Sequence, residues 1–122
     1  MNATEVQTAL RSGGIIAIVR GNFGLERLRA IGESLAEGGV RALEVTLNSR
    51  SALEGIGMLT KALGPELLVG AGTVRTPGDV DAAIGAGARF LVSPNFDPAS
   101  RSRSMSASAR ACTRARSTWS RH

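Results

Sequence analysis

The chain has 122 residues, enough for about one domain of ordinary size. It contains no uninterrupted apolar run of about 18 residues, so no membrane span is predicted. Its first ten residues lack a basic segment leading into an apolar one, so no secretory signal is predicted. Cys112 is the only cysteine, which fits a reducing cytoplasm, where we expect the protein. No Cys/His cluster has metal-ligand spacing, and we expect no metal and no cofactor.

The net charge of +5 is distributed unevenly along the chain. Residues 1–99 carry nine Lys or Arg and ten Asp or Glu, whereas residues 100–122 carry six Arg and no acidic residue. Most of the other residues in this tail are serines (seven) and alanines (four), and the tail shows neither helical nor strand periodicity. The sequence therefore predicts a folded domain over residues 1–99 and a disordered Arg/Ser/Ala-rich tail over residues 100–122.

The composition of the tail has two alternative explanations. An Arg-rich disordered arm binds RNA or DNA phosphates, which would make the chain a non-enzymatic βα binding module. Its arginines are not interleaved with aromatic residues, however. A GC-rich gene translated out of frame tends to give Arg, Ser and Ala, and the composition changes abruptly near Ala99. We favour the frameshift and expect no nucleic-acid partner.

Residues 4–99 alternate between helical and strand patterns. A short helix over about residues 4–10 comes first. Apolar runs predict four strands, at residues 14–19, 42–47, 67–71 and 89–92. Leucines and isoleucines at helical spacing predict helices at residues 24–37 and 51–63, and a third helix ending near residues 85–87. Thr76, Pro77 and Asp79 supply the N-cap, the first-turn proline and the capping acid of that third helix.

Strand–helix alternation with short links predicts a parallel sheet with right-handed crossovers. A doubly wound open sheet and a (β/α)8 barrel both fit this order. Polar residues follow each of the four strands, and in a barrel such residues gather on one rim, where function resides. We therefore predict an α/β fold of the (β/α)8 TIM-barrel family, with about four of the eight β/α units followed by the tail.

The polar residues at the carboxyl ends of the predicted strands form the candidate site: Arg20, Glu44, Asn48, Thr73, Ser93 and Asn95. Glu44 lies in a mostly apolar strand, where burial raises the pKa of a carboxyl toward the range of a general acid or base; an exposed edge strand is the alternative. Arg20 can bind a carboxylate or phosphate, or pair with a surface acid. Lys61, the only lysine, lies on the predicted solvent side of a helix and is not expected to form an imine.

Four segments together carry a family resemblance. They are I-A-I-V-R-G (residues 16–21), G-G-V-R-A-L-E-V-T-L-N-S (38–49), L-V-G-A-G-T-V (68–74) and F-L-V-S-P-N (90–95). In this order and spacing, residues 4–99 resemble the 2-keto-3-deoxy-6-phosphogluconate / 2-keto-3-deoxy-6-phosphogalactonate aldolase family. The resemblance implies a homotrimeric (β/α)8 barrel and a class I, Schiff-base aldolase. Such an enzyme cleaves a 2-keto-3-deoxy-6-phospho sugar acid to pyruvate and glyceraldehyde 3-phosphate.

The resemblance also implies roles for individual residues. Glu44 matches the glutamate that transfers protons, and Thr73 matches the threonine that holds the pyruvyl carboxylate. Arg20 matches an arginine of the galactonate-type branch. Asn48 stands where the gluconate-type branch has an arginine, which favours a galactonate-type substrate. Ser93 and Asn95 are expected to bind substrate.

The family's imine-forming lysine belongs to the sixth strand, which the four predicted units do not include. The resemblance therefore implies that this chain is inactive alone. Open sheet edges also predict aggregation or association between copies. A 4-hydroxy-2-oxoglutarate aldolase activity, within the same family, is a further alternative.

Overall fold

The structure, a computed structural model, describes residues 3–93 and a separate strand at residues 111–114. The helices are α1 (Ala3–Gly13), α2 (Leu25–Glu37), α3 (Ala52–Leu63) and α4 (Pro77–Ala86). The strands are β1 (Ala17–Val19), β2 (Ala42–Thr46), β3 (Leu68–Gly72), β4 (Phe90–Ser93) and β5 (Ala111–Arg114). The four predicted strands and the four predicted helices are all present. Within this part of the chain, no helix has the length and hydropathy needed to cross a bilayer.

The five strands form one parallel sheet in the order β1-β2-β3-β4-β5. Each strand lies beside the next one in sequence, which is the order of a (β/α) barrel, whereas a doubly wound sheet reverses its order part-way. The strand that differs most from prediction is β1, which begins at Ala17 rather than at residue 14. Gly14 has a φ of 74°, and Ile15 is 65% exposed, so the preceding residues leave the sheet.

Strand β5 lies in the tail that the sequence predicts to be disordered. It pairs in parallel with β4, from Phe90 opposite Ala111 to Ser93 opposite Arg114. Without β5, the N–H and C=O groups on that side of β4 would form an open edge, which can pair with any extended segment. The expectation of a disordered tail over residues 100–122 stays a prediction. The rest of the tail, and the boundary near residue 99, lie outside the described residues.

One face of the sheet carries the main apolar core. Leu43 and Val45 of β2 point to this face, where α2, α3 and α4 cover the sheet. Leu28, Leu59 and Ala83 pack there as buried residues of the three helices. We refer to this helix-covered side as the outer face.

The other face, which we call the inner face, is apolar at the amino ends of the strands. Ala42 of β2 and Phe90 of β4 pack there against Val6 of α1, with Leu10 beside them. Helix α1 thus covers this end of the inner face. The carboxyl end of the same face is where β2 places its two polar residues, Glu44 and Thr46.

The predicted capping box at the start of α4 is confirmed. Thr76 Oγ1 accepts a hydrogen bond from the Asp79 N–H at 3.1 Å, and Asp79 Oδ2 accepts one from the Thr76 N–H at 3.2 Å. Each side chain satisfies a backbone donor that the helix leaves unpaired. This cap fixes the end of the loop that begins at Thr73, one of the candidate site residues.

Candidate functional site

Glu44 is the buried carboxyl of the inner face. Its side chain is only 5% exposed, and the register places it between Ile18 of β1 and Gly70 of β3. Burial raises its pKa above the ordinary value of 4.5, while the positive charge of Arg20 acts in the opposite direction and lowers it. The edge-strand alternative, in which Glu44 faces solvent, is therefore wrong. A carboxyl with a raised pKa is a stronger base at neutral pH and is suited to proton transfer.

Two glycines of β3 make space on the inner face. A Cβ on Gly72 would lie 2.8 Å from Glu44 Cδ and would also collide with Glu44 Oε1, so the carboxylate lies against this glycine. A Cβ on Gly70 would lie 2.6 Å from three atoms of the Phe90 ring. In the structure the two glycines accommodate side chains from the neighbouring strands.

Arg20 and Thr73 lie at the carboxyl end of the same sheet, each immediately after its strand. Arg20 Nη2 donates a hydrogen bond to Thr73 Oγ1 at 3.4 Å. The Arg20 charge also acts on Glu44, as its effect on the pKa of that carboxyl shows. The guanidinium therefore contacts the hydroxyl that follows β3 and lies near enough to the carboxylate on β2 to lower its pKa. Three side chains predicted from separate strands are neighbours in the structure.

Thr73 has a backbone conformation that is unusual for its residue type. Its φ of 59° lies in the left-handed region, where β-branched residues are rare. Such strain tends to persist where the surroundings or the function require it. Here it ends the regular alternation of β3 just where the Thr73 hydroxyl meets the Arg20 guanidinium.

A pair of hydroxyls beside Arg20 was missed by the sequence analysis. Thr46 Oγ1 and Ser49 Oγ lie 2.8 Å apart, and both contact the backbone next to Arg20. Alternation along β2 offered a signal, because Thr46 lies two residues after Glu44 and so shares its face. Ser49 has no such signal, because it lies in the turn after β2.

The remaining predicted residues are not gathered at this point. Asn48 is exposed in the turn between β2 and α3. Ser93 is buried, and alternation along β4 places it on the outer face with Leu91, opposite the face of Glu44. Asn95 lies outside the described residues. The substrate-binding roles of these three residues stay predictions.

Lys61 lies far from this arrangement in the topology. It is exposed on α3, in a shallow groove that Arg29 and Glu54 also line, on the helix side of the sheet. Glu44 lies on the other side of that sheet. In residues 3–93 and 111–114, no group of three or more His, Cys, Asp or Glu residues is arranged to hold a metal ion.

The sequence model of the family described as KDPG and KHG aldolase matches residues 6–110. The chain belongs to this family. The match extends 11 residues beyond the predicted domain boundary at residue 99. The (β/α)8 barrel predicted from the strand order is therefore the family's fold, of which the described residues form part.

Curated relatives agree with this assignment. A 2-dehydro-3-deoxy-phosphogluconate aldolase of Dickeya dadantii (strain 3937) is 35% identical over 93 residues, which are 76% of this chain and 43% of that protein. The KHG/KDPG aldolase of Escherichia coli (strain K12) is 36% identical over the same shares. A 2-dehydro-3-deoxy-6-phosphogalactonate aldolase of the same strain is 38% identical over 67% of this chain and 40% of that protein. The chain thus spans less than half the length of these relatives.

Solved structures give the same result. The 2-keto-3-deoxy-6-phosphogluconate aldolase of Zymomonas mobilis ZM4, with 3-phosphoglycerate, has a TM-score of 0.77 and 29% identity, and the match covers 88% of this chain and 50% of that chain. The KDPG aldolase of Legionella pneumophila, with pyruvate captured as a covalent carbinolamine, has a TM-score of 0.71 and 32% identity, over 79% of this chain and 46% of that one. Neither comparison supports the nucleic-acid-binding alternative.

Proposed function

We propose that this chain supplies the proton-transfer and carboxylate-binding side of a class I aldolase. The substrate would be a 2-keto-3-deoxy-6-phospho sugar acid, cleaved to pyruvate and glyceraldehyde 3-phosphate. The observation that carries the proposal is the buried Glu44 carboxyl, with its raised pKa, beside Arg20 and Thr73. The aldolase family of the chain and the names of its relatives support the reaction class.

The proposed chemistry assigns one task to each side chain. With the keto carbon held as an iminium, the Glu44 carboxylate removes the proton from the C4 hydroxyl, directly or through water. The C3–C4 bond then breaks, its electron pair moves toward the iminium to form an enamine, and the aldehyde leaves. Glu44 returns the proton to C3. Arg20 and Thr73 hold the substrate carboxylate through the guanidinium and the hydroxyl.

The imine lysine has to come from outside these 122 residues. Lys61 is the only lysine of the sequence, and it lies on the helix side of the sheet. The relatives are about twice as long as the matched segment, so their unmatched part is the natural source of such a lysine. We therefore expect this chain to need a second β/α segment for activity.

Complementation tests this proposal. The 122-residue chain, incubated with pyruvate and borohydride, should give no covalent adduct by mass spectrometry. Adding the part of the Escherichia coli KHG/KDPG aldolase that this chain does not match should restore an adduct, located on the added segment. A stable adduct on the chain alone would refute the assignment of the lysine.

Substitution of Glu44 tests the proton-transfer step in the reconstituted assembly. Glu44→Gln should lower the cleavage rate about 100-fold or more, the usual contribution of a general acid–base group. Glu54→Gln, at an exposed glutamate of α3, is the matched control and should leave the rate unchanged. Equal rates for the two variants would refute a role for Glu44.

A second candidate activity is cleavage of 4-hydroxy-2-oxoglutarate. The name of the Escherichia coli relative includes KHG, which is this substrate class. Both substrates share the pyruvyl half, which is the part that Glu44, Arg20 and Thr73 are proposed to contact. The same reconstituted assembly should be offered the phosphogluconate-type, phosphogalactonate-type and 4-hydroxy-2-oxoglutarate substrates. The ranking of kcat/KM decides between them, and Arg20 with Asn48 favours the galactonate type.

We also propose that the chain self-associates, as a homotrimer by analogy with the family, and works in the cytoplasm. Two exposed isoleucines support association, since Ile18 on the edge strand β1 is 63% exposed and Ile15, just before that strand, is 65% exposed. One relative's fold occurs in a designed cage built by fusing symmetric oligomeric domains. Sedimentation of the purified chain tests this, and a stable monomer at tens of micromolar would count against it.

The frameshift in residues 100–122 remains our proposal for the tail. The six arginines without a single acidic residue support it. Sequencing of the gene past codon 99 is the direct test. A shifted frame that encodes further strand–helix units and a lysine would support the proposal, whereas a reading frame without them would refute it.

A further inference from the structure

Two hydroxyl groups form a hydrogen-bonded bridge around the backbone of Arg20. The Gly21 N–H donates to Ser49 Oγ at 3.1 Å, and Thr46 Oγ1 donates to the Val19 carbonyl at 3.4 Å. The two hydroxyl oxygens lie 2.8 Å apart. The bridge therefore connects the residue that precedes Arg20 in the chain with the residue that follows it.

The direction of the middle hydrogen bond follows from proton counting. Each hydroxyl has a single hydrogen, and the hydrogen of Thr46 is directed to the Val19 carbonyl. Ser49 must then donate to Thr46, while it accepts from the Gly21 N–H. The result is a continuous chain in which every donor points the same way, and hydrogen bonds in such chains strengthen one another.

The hydroxyl bridge supplies hydrogen bonds to the backbone at the point where the pairing of β1 with β2 ends. The pairing of β1 with β2 stops at Val19 opposite Val45, so Arg20 is the first residue without a strand partner. Its neighbours' polar groups would otherwise be satisfied by water, and the residue would be free to change direction. Thr46 is completely buried, so its hydroxyl needs an internal partner, and the Arg20 loop supplies one.

We propose that Thr46 and Ser49 are positioning residues for Arg20, whose guanidinium they direct toward Glu44 and Thr73 by fixing the backbone on both of its sides. The inference rests on the proposed function, since it explains how the carboxylate-binding arginine is held. It also explains why an exposed side chain at the end of a three-residue strand reaches Thr73 Oγ1. Neither hydroxyl needs to touch the substrate.

The alternative is that both hydroxyls only satisfy each other and the backbone. A measurement that depends on the Arg20 charge separates the two roles. Arg20 is the charged group that acts on the pKa of Glu44 among the described residues, so this pKa reports whether the guanidinium is in place. The measurement needs no catalysis, so a failed aldolase assay would refute the proposed function without deciding this inference.

The experiment is a cycle of variants of the full chain, labelled with glutamate enriched in 13C at Cδ and titrated by NMR. Arg20→Gln should raise the pKa of Glu44, because it removes the opposing charge. Ser49→Ala and Thr46→Val should each raise it in the same direction. In the Arg20→Gln background, the Ser49→Ala change should have no further effect.

Thr60→Val is the matched control. Thr60 Oγ1 donates to the Gly87 carbonyl at 3.4 Å, the same kind of bond as that of Thr46, but between α3 and the end of α4. This variant should leave the pKa of Glu44 unchanged. Ser49 is only partly buried, so its alanine variant keeps the test available if Thr46→Val fails to fold. A Ser49→Ala shift that is absent, or equally large with and without Arg20, would overturn the proposal.

Discussion

The two faces of β2 bury different kinds of side chain. Leu43 and Val45 point to the outer face and are 0% and 2% exposed in the helix-covered core. Glu44 and Thr46 point to the inner face and are as deeply buried, yet one carries a carboxyl and the other a hydroxyl. Burial of apolar surface favours folding, whereas burial of a carboxyl opposes it unless the charge finds partners. One five-residue strand therefore buries apolar side chains on one face and polar side chains on the other.

The difference extends along the inner face itself. At the amino end, Phe90 packs against Val6 and Ala42, and α1 covers them. At the carboxyl end the neighbours are Arg20, Thr73 and Gly72, whereas Gly70 lies against the Phe90 ring. The tightly packed end supports the polar end, so substitutions at the two ends should have effects of different sign and size.

The largest expected effect is on the outer face. Leu59→Ala should lower the free energy of unfolding by about 3 kcal/mol, because Leu59 is completely buried and its removal leaves a cavity. Leu53→Ala is the control on the same helix, since Leu53 is 41% exposed, and it should cost less than about 1 kcal/mol. Urea denaturation followed by circular dichroism measures both. Similar losses for the two leucines would contradict the division into faces.

The next largest effect on stability is expected where the inner face packs around Phe90. Gly70→Ala should cost about 1–3 kcal/mol, because the new methyl group would meet the Phe90 ring at 2.6 Å. Phe90→Leu should reduce that cost in the double variant, which shows that the two residues are coupled. Gly85→Ala is the control, because a Cβ there meets no atom within 4 Å and should stabilise α4 by up to about 1 kcal/mol. Loss of stability at both glycines would point to backbone effects instead.

At the carboxyl end of the inner face, a substitution should raise the free energy of unfolding rather than lower it. Burial raises the pKa of Glu44, so the folded state binds its proton more tightly than the unfolded state does. Stability from this group is then fully present below the unfolded value of 4.5 and falls as the pH rises through the folded pKa. Glu44→Gln should therefore stabilise the chain at neutral pH by about 1 kcal/mol, because the neutral amide avoids the cost of burying a carboxylate.

Thermal unfolding at a series of pH values tests this reversal. The gain from Glu44→Gln should shrink as the pH falls and vanish below the ordinary value of 4.5, where the wild-type carboxyl is protonated in both states. Glu54→Gln, on the exposed surface of α3, serves again as the control and should give no comparable gain. A variant at Glu44 that is destabilised at neutral pH would contradict the assignment of desolvation as the main cause.

The sequence predicted the strands and helices well because their signals are local. Apolar runs, helical spacing and the Thr76–Asp79 cap depend on residues close together in the sequence, and the elements that they predict are present in the structure. The convergence of Arg20, Glu44 and Thr73 followed from parallel strands ending at one rim. The roles of Gly70 and Gly72 depend on side chains from other strands, which no local pattern reveals. The same holds for Ser49, whose partner Gly21 lies 28 residues away.

The smallest effect on stability is expected at Ile18. The same position tests whether the edge strand β1 joins copies of the chain. This side chain is 63% exposed on β1, beside Glu44, so Ile18→Thr should change the free energy of unfolding by no more than about 0.5 kcal/mol. Val19→Thr is the control, because Val19 is 7% exposed in the outer core and a buried hydroxyl without a partner should cost about 1–3 kcal/mol.

Sedimentation of the same two variants separates folding from association. If the exposed isoleucines hold copies together, Ile18→Thr should weaken self-association without loss of fold, since it removes exposed apolar surface at an edge strand. Val19→Thr should lower stability while association of its folded fraction is unchanged. An Ile18→Thr variant that associates as strongly as the wild type would show that another surface joins the copies, and that the inner face at β1 is left accessible to a complementary β/α segment.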